Sequence, residues 1–370
     1  MERLRELDLL RAAALIGMGA IHAGAWITPA EAPPTAGLMA AISGLARFCV
    51  PAFVFASGFA LFHSNGSQPL EVGTFLRRRW ARTLLPWAWC VPLFLAVDIQ
   101  AGSVHLDAAS VGQWLAYGPG HLYFLVLIAQ LYVLFVGLAA RPKWLPRVTA
   151  TMVGVQLLLM AWRTYAPLPE GPWAWPAVYL SHEEAPFWAG TFALGCLAAA
   201  RWPWLARLDR LWPLLMVGCV ASAALLLGGS RLIEPASLHE GNAAYLWPSR
   251  LPQTVMWCLG LLWLGRWIAP RLGRAWVWIG GLSRHSLGIY LLHPLFLELL
   301  GPRTSATPGW LRVPLLIGIS FGGAYAMLWL LRVLTPATAA LAEPAHGMLR
   351  TMSNRSRRTW RPRNLGTTTT

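Results

Sequence analysis

The chain has 370 residues, 56% of them hydrophobic and only 12% charged, with 22 tryptophans, a composition that excludes a water-soluble globular domain. A formal charge of +15 would point to nucleic acid in a soluble protein. In a chain this apolar, arginine beside a membrane span reports topology instead, so we expect an all-α polytopic membrane protein with lipids, and no nucleic acid, as partners.

Taken in order, runs near twenty apolar residues fall at about ten places: 8–27, 38–62, 82–99, 121–139, 148–165, 185–200, 211–229, 251–268, 285–301 and 311–333. The first lacks the small-residue cleavage site and the short apolar core of a signal peptide and is followed by further spans, so it is expected to be retained. Basic residues follow the second span (Arg77, Arg78, Arg79, Arg82), the fourth (Arg141, Lys143, Arg147), the sixth (Arg201, Arg207, Arg210) and the eighth (Arg266, Arg271, Arg274), while 28–37, 100–120 and 166–184 hold no Lys or Arg. The positive-inside rule then places both termini in the cytoplasm. The arginines of 231–250 and 303–312 stand on the wrong side of this scheme. Residues 1–340 read as one integral-membrane domain and 341–370, rich in Arg, Ser, Thr and Pro, as a basic disordered cytoplasmic tail suited to anionic lipid heads.

Five cysteines (Cys49, Cys90, Cys196, Cys219, Cys258) lie within apolar stretches without paired spacing, which points to packing rather than to disulfides or zinc. No Gly-rich phosphate loop, internal repeat or metal-ligand cluster is present in the sequence, and no metal is expected.

The chemistry-bearing residues are those a membrane helix would normally avoid. Arg11 and His22 are eleven residues apart in the first span, which is three helical turns and roughly 16 Å along one face. Arg11 either snorkels to lipid phosphate or belongs to a site; His22, past the midplane, has no easy route to water. Arg47 in the second span falls at about the depth of His22, roughly 20–25 Å from the inner surface, and points to a cavity lined by the two. Ser57 and Gly58 read, taken alone, as a small-residue helix contact. Arg79 and Arg82 share a helix face and either mark topology or clamp a phosphate. His121, Tyr123 and Phe124 open the fourth span where interfacial anchors are usual. In the ninth, Ser286, Tyr290 and His293 share a face, forming a hydrogen-bonding seam or the wall of a substrate path.

Five stretches in this order, RELDLLRAAALIGMGAIHAG, RFCVPAFVFASGF, FLRRRWARTLLP, GHLYFL and SRHSLGIYLLHPLF, resemble the membrane-bound acyltransferase 3 family over about residues 5–335. The resemblance implies transfer of an acyl group, commonly acetyl, from cytoplasmic acyl-CoA to a hydroxyl of a carbohydrate or glycan-type acceptor in the cell envelope, at a bacterial-type inner membrane. It implies that Arg11 and His22 are the essential pair, and that Arg47, Ser57, Gly58, Arg79 and Arg82 shape the donor site. Arg284 joins Arg11, Arg79 and Arg82 as a basic rim for the nucleotide phosphates. The residues 140–280 hold no stretch that matches, so the acceptor is not named by the resemblance. His22 is the expected general base, with an acyl-histidine intermediate as a variant and Arg47 as a stabiliser of the oxyanion. A transporter or flippase of glycolipid-linked substrates would use the same polar stripe.

Overall fold

A computed structural model of the protein describes residues 4–26, 33–66, 69–100, 118, 120–165, 184–205, 208–225 and 247–334. The tail assigned to 341–370 and the loops 101–117 and 166–183 lie outside these. Among the described residues the secondary structure is helical, with no strand. The helices used below are α1 (Arg5–Gly24), α2 (Pro33–Ala46), α3 (Cys49–Asn65), α4 (Val72–Gln100), α5 (Tyr123–Ala140), α6 (Leu145–Tyr165), α7 (Ala189–Ala200), α8 (Trp212–Ala224), α9 (Arg250–Leu272), α10 (Trp276–Leu300) and α11 (Gly309–Leu334).

The expected spans overlap these helices, the second of them two helices rather than one. Six described stretches are long and apolar enough to cross a membrane: Arg5–Gly24, Ala41–Asn65, Val72–Gln100, Gly120–Ala140, Pro142–Tyr165 and Gly309–Leu331. The chain is therefore an all-α polytopic membrane protein. α7 and α8 are apolar but shorter, and α9 and α10 are long but carry more polar residues along their length. The chain divides into two compact units, Met1–Ala324 and Tyr325–Thr370.

Three of the expected spans differ from the sequence reading, the ninth because α10 begins at Trp276, nine residues before 285. The second span is not one helix: α2 ends at Ala46 and α3 starts at Cys49, with a turn at Arg47 and Phe48. Pro51 is the cause, because it has no N–H for the carbonyl four residues back and its ring collides with that carbonyl, which belongs to Arg47. α4 begins at Val72, so Arg77, Arg78, Arg79 and Arg82 lie within its first turns rather than ahead of it.

α1 is the helix around which the first unit packs, in contact with α2, α3, α9 and α10. Its small residues permit this. A Cβ on Gly17 would meet the Ala46 carbonyl at 3.3 Å, one on Gly19 the Phe321 ring at 2.7 Å, and one on Gly265 of α9 would meet the Glu6 backbone at 2.9 Å. α3 and α7 cross even closer. A Cβ on Gly58 would stand 2.2 Å from the Phe192 carbonyl oxygen and one on Gly195 would stand 2.1 Å from that of Phe55, so reciprocal glycines bring two backbones together. α6 is held to α7 by a buried amide clasp: the Thr191 N–H donates to Gln156 Oε1 at 2.8 Å and Gln156 Nε2 donates to Thr191 Oγ1 at 3.0 Å.

Contacts at both ends of α1 fix its direction relative to α10. Near the start, the Ser283 hydroxyl donates to the Asp8 carboxylate at 2.8 Å; near the end, His22 meets His293. The two helices are therefore parallel, and α9 runs against them.

Candidate active site

His22 sits in the last turn of α1, facing the bundle interior. His293 comes from mid-α10 and His121 from the short 3-10 turn Gly120–Leu122 that leads into α5. The three imidazoles form a cluster with ring centroids 5.0 Å (His22 to His293), 5.8 Å (His121 to His293) and 6.1 Å (His22 to His121) apart, each pair edge-on. The Tyr290 ring lies 5.3 Å from that of His121, and its hydroxyl donates to the His121 backbone carbonyl. This ties the 3-10 turn to α10.

Beside the cluster is a cavity of about 270 Å³. Its polar wall is His22, His121 and Tyr290; its apolar wall includes Ile21, Val50, Phe53 and Phe124, with Cys49 at the first turn of α3. The first turns of α3 after the break supply Cys49, Val50 and Phe53 to this chamber. Polar groups that converge in an otherwise apolar chamber within a membrane bundle are the usual mark of a binding or reaction site.

His293 is held in a defined state by its own helix. Pro294 follows it and has no N–H to give the Tyr290 carbonyl. His293 Nδ1–H donates to that carbonyl at 2.9 Å and to that of Ile289 at 3.0 Å. Its side chain is wholly buried, and Nε2 has no hydrogen-bond partner among the described residues. Nε2 of His121 too is buried without a partner there.

The remaining sequence-predicted residues are placed as follows. Arg11 is half-buried, one turn beyond Asp8 and three turns from His22. Arg47 is half-buried at the break, two residues before Cys49; contrary to the expectation it is not among the residues that line the cavity with His22, whose α3 wall is Cys49, Val50 and Phe53. Ser57 is half-buried on α3 next to the glycine crossing. The Arg79 guanidinium lies over the Phe75 ring at 5.6 Å, while Arg82, one turn on, is exposed. Arg284 is exposed, its Nε donating to the Gly280 carbonyl at 3.1 Å. Ser286 is half-buried on α10. The sequence reading did not single out Asp8, a carboxylate only 4% exposed, nor the α3 wall. The signal for Asp8 was its place one turn before Arg11 on the same face; apolar wall residues carry no signal of their own.

A bundle of membrane-length helices enclosing a histidine-walled chamber defines an integral-membrane protein with an internal site. The chain belongs to the acyltransferase 3 family: that family's model, described as an acyltransferase domain, matches residues 4–329, nearly the whole length, and the protein is a membrane acyltransferase. No curated protein matches it.

Proposed function

We infer that the protein transfers an acyl group, acetyl in the first instance, from cytoplasmic acyl-CoA to a hydroxyl of a carbohydrate or glycan-type acceptor, working in a bacterial-type inner membrane. The observation that carries this is the position of His22, which faces a cavity inside the bundle with His121 and Tyr290 rather than the surrounding lipid. In the proposed reaction the neutral His22 ring takes the acceptor hydroxyl proton as the oxygen attacks the thioester carbonyl. The tetrahedral intermediate then expels the CoA thiolate, and the His22 imidazolium returns the proton to sulfur, leaving an ester, CoA thiol and neutral His22. General-base catalysis of this kind contributes roughly 10²–10⁴-fold.

Arg11, Arg79, Arg82 and Arg284 are assigned to the donor phosphates, where guanidinium groups form charge-assisted hydrogen bonds. Arg11 and His22 are separated by roughly 16 Å of helix, a span suited to a pantetheine arm whose nucleotide end stays at the inner rim. Arg47, the cation nearest in sequence to the α3 wall, is assigned to the oxyanion or the thioester end, and Ser57 to the donor site. Ser286, Tyr290, His293 and His121 border the acceptor path.

Purified protein in liposomes, given isotopically labelled acetyl-CoA and envelope glycans, should form alkali-labile labelled ester on carbohydrate, and His22→Ala should lower the rate by two orders of magnitude or more. Unchanged ester formation by correctly inserted His22→Ala would exclude the mechanism, and movement of a glycolipid across the bilayer without ester formation would exclude the reaction class.

A further inference from the structure

The buried Nε2 of His293 has a chemistry that the proposed reaction leaves unused. A neutral imidazole carries one N–H and one lone pair. Both contacts of His293 Nδ1 are backbone carbonyls, at 2.9 and 3.0 Å, and carbonyls only accept. The proton is therefore on Nδ1 and the lone pair on Nε2, which is buried and unpaired among the described residues. An acceptor in that condition costs free energy until a donor reaches it.

Four rings surround it: His22 at 5.0 Å between centroids, His121 at 5.8 Å, Phe321 at 6.1 Å and Tyr290 at 6.4 Å. Phe321 has nothing to donate and the Tyr290 hydroxyl is given to the His121 carbonyl, which leaves the two imidazoles. Of these, His22 is the nearer.

We propose that His293 is the positioning residue for His22: its Nε2 lone pair, which holds no bond as the two rings stand 5.0 Å apart here, accepts one ring N–H of His22 on a small turn of either ring, fixing the tautomer that turns the other, basic nitrogen of His22 toward the cavity. The arrangement performs with a neutral imidazole what a carboxylate does for the histidine of a hydrolytic triad. A neutral acceptor suits a site enclosed in a bilayer, because no second buried charge needs a partner. The His293-Pro294 dipeptide supplies it, since the proline leaves the Tyr290 carbonyl for the His293 ring to bond.

The proposal rests on the reading of His22 as the base. The test compares His293→Gln with His293→Met in liposomes, with His22→Ala alongside. The two replacements have the same length and lack the ring, but the Gln amide oxygen can accept from His22 and the Met thioether scarcely can. The expected result is a kcat at least a hundredfold down for Met and within about tenfold of the native value for Gln, with KM for acetyl-CoA unchanged in both. A Met variant as fast as the native protein, equal losses in the two variants, or a loss expressed in KM would overturn the proposal. Should the Met variant fail to fold, His293→Phe, which keeps a planar ring without an acceptor, takes its place under the same criteria. If His22→Ala is inactive while His293→Met is fully active, this proposal alone fails; if His22→Ala is active, the reading beneath it fails.

Discussion

Buried polar atoms decide most of what single residues do in this bundle, because hydrocarbon offers them no alternative partner. Asp8 is 4% exposed and takes the Ser283 hydroxyl at 2.8 Å, a tie between the starts of two parallel helices. Ser283→Ala withdraws a donor from a buried carboxylate, and a loss of about 1–3 kcal/mol is expected, readable as a lower thermal midpoint of the purified protein while Ser283→Thr stays near the native value. Tyr290 invites the opposite expectation. Its hydroxyl is given to a backbone carbonyl, so it has no proton to offer the leaving thiolate, and Tyr290→Phe should cost only about 1 kcal/mol of positioning. Steady-state kinetics would then show a kcat reduced less than tenfold; a collapse comparable to that of His22→Ala would mean that the phenol takes part in the chemistry.

At the level of helices, the close contact of α3 with α7 is the most exacting feature. Gly58 and Gly195 each press against a carbonyl of the other helix, so any side chain at either position must push backbone rather than a pliable neighbour. Gly195→Leu is expected to destabilise by about 3 kcal/mol or more, at or beyond the upper end of ordinary overpacking, with little folded protein recovered in mild detergent, whereas Gly154→Ala, at a glycine with open space beside it, should fold normally. Half of this crossing was legible beforehand. FASGF announces a small-residue contact, yet nothing local names FALGC, 137 positions further on, as its partner, because helix pairing between apolar surfaces has no charge or period to read. The helices themselves were legible by hydropathy over about twenty residues, but that measure averages across a proline and so ran straight through the break that Pro51 makes at Arg47. The same averaging hid the early start of α4, whose first turns are basic.

Across the whole first unit, the parallel course of α1 and α10 gathers Arg5, Arg266, Arg271 and Arg274 at one end and leaves the three histidines toward the other. Two of the four arginines that spoiled the charge pattern, Arg250 and Arg312, are explained by where they point. Arg250 is 5% exposed and donates to the Gly44 carbonyl at 3.1 Å, while Arg312, also 5% exposed, donates to Thr304 Oγ1 at 3.1 Å and the Gly301 carbonyl at 3.3 Å. They close helix ends inside the protein, where the macrodipole favours a cation, and do not act as loop charges. With these set aside, the solvent-facing basic residues of the 141–144 and 273–275 connections carry the topological signal, and burial, which decides the matter, cannot be read from charge counts. The orientation that follows is testable in spheroplasts. Cys49, Cys90, Cys196 and Cys258 are buried and Cys219 is partly so, so an introduced thiol will report against a low background. Cysteine placed at the exposed positions Lys143 or Arg274 should react with a membrane-impermeant maleimide only after the membrane is opened, while cysteine at the exposed Ser305, beyond the far end of α10, should react in intact spheroplasts. The reverse pattern would put the basic end outside the cell, away from any pool of acyl-CoA, and the donor would then have no route to the arginine rim from which His22 is to be supplied.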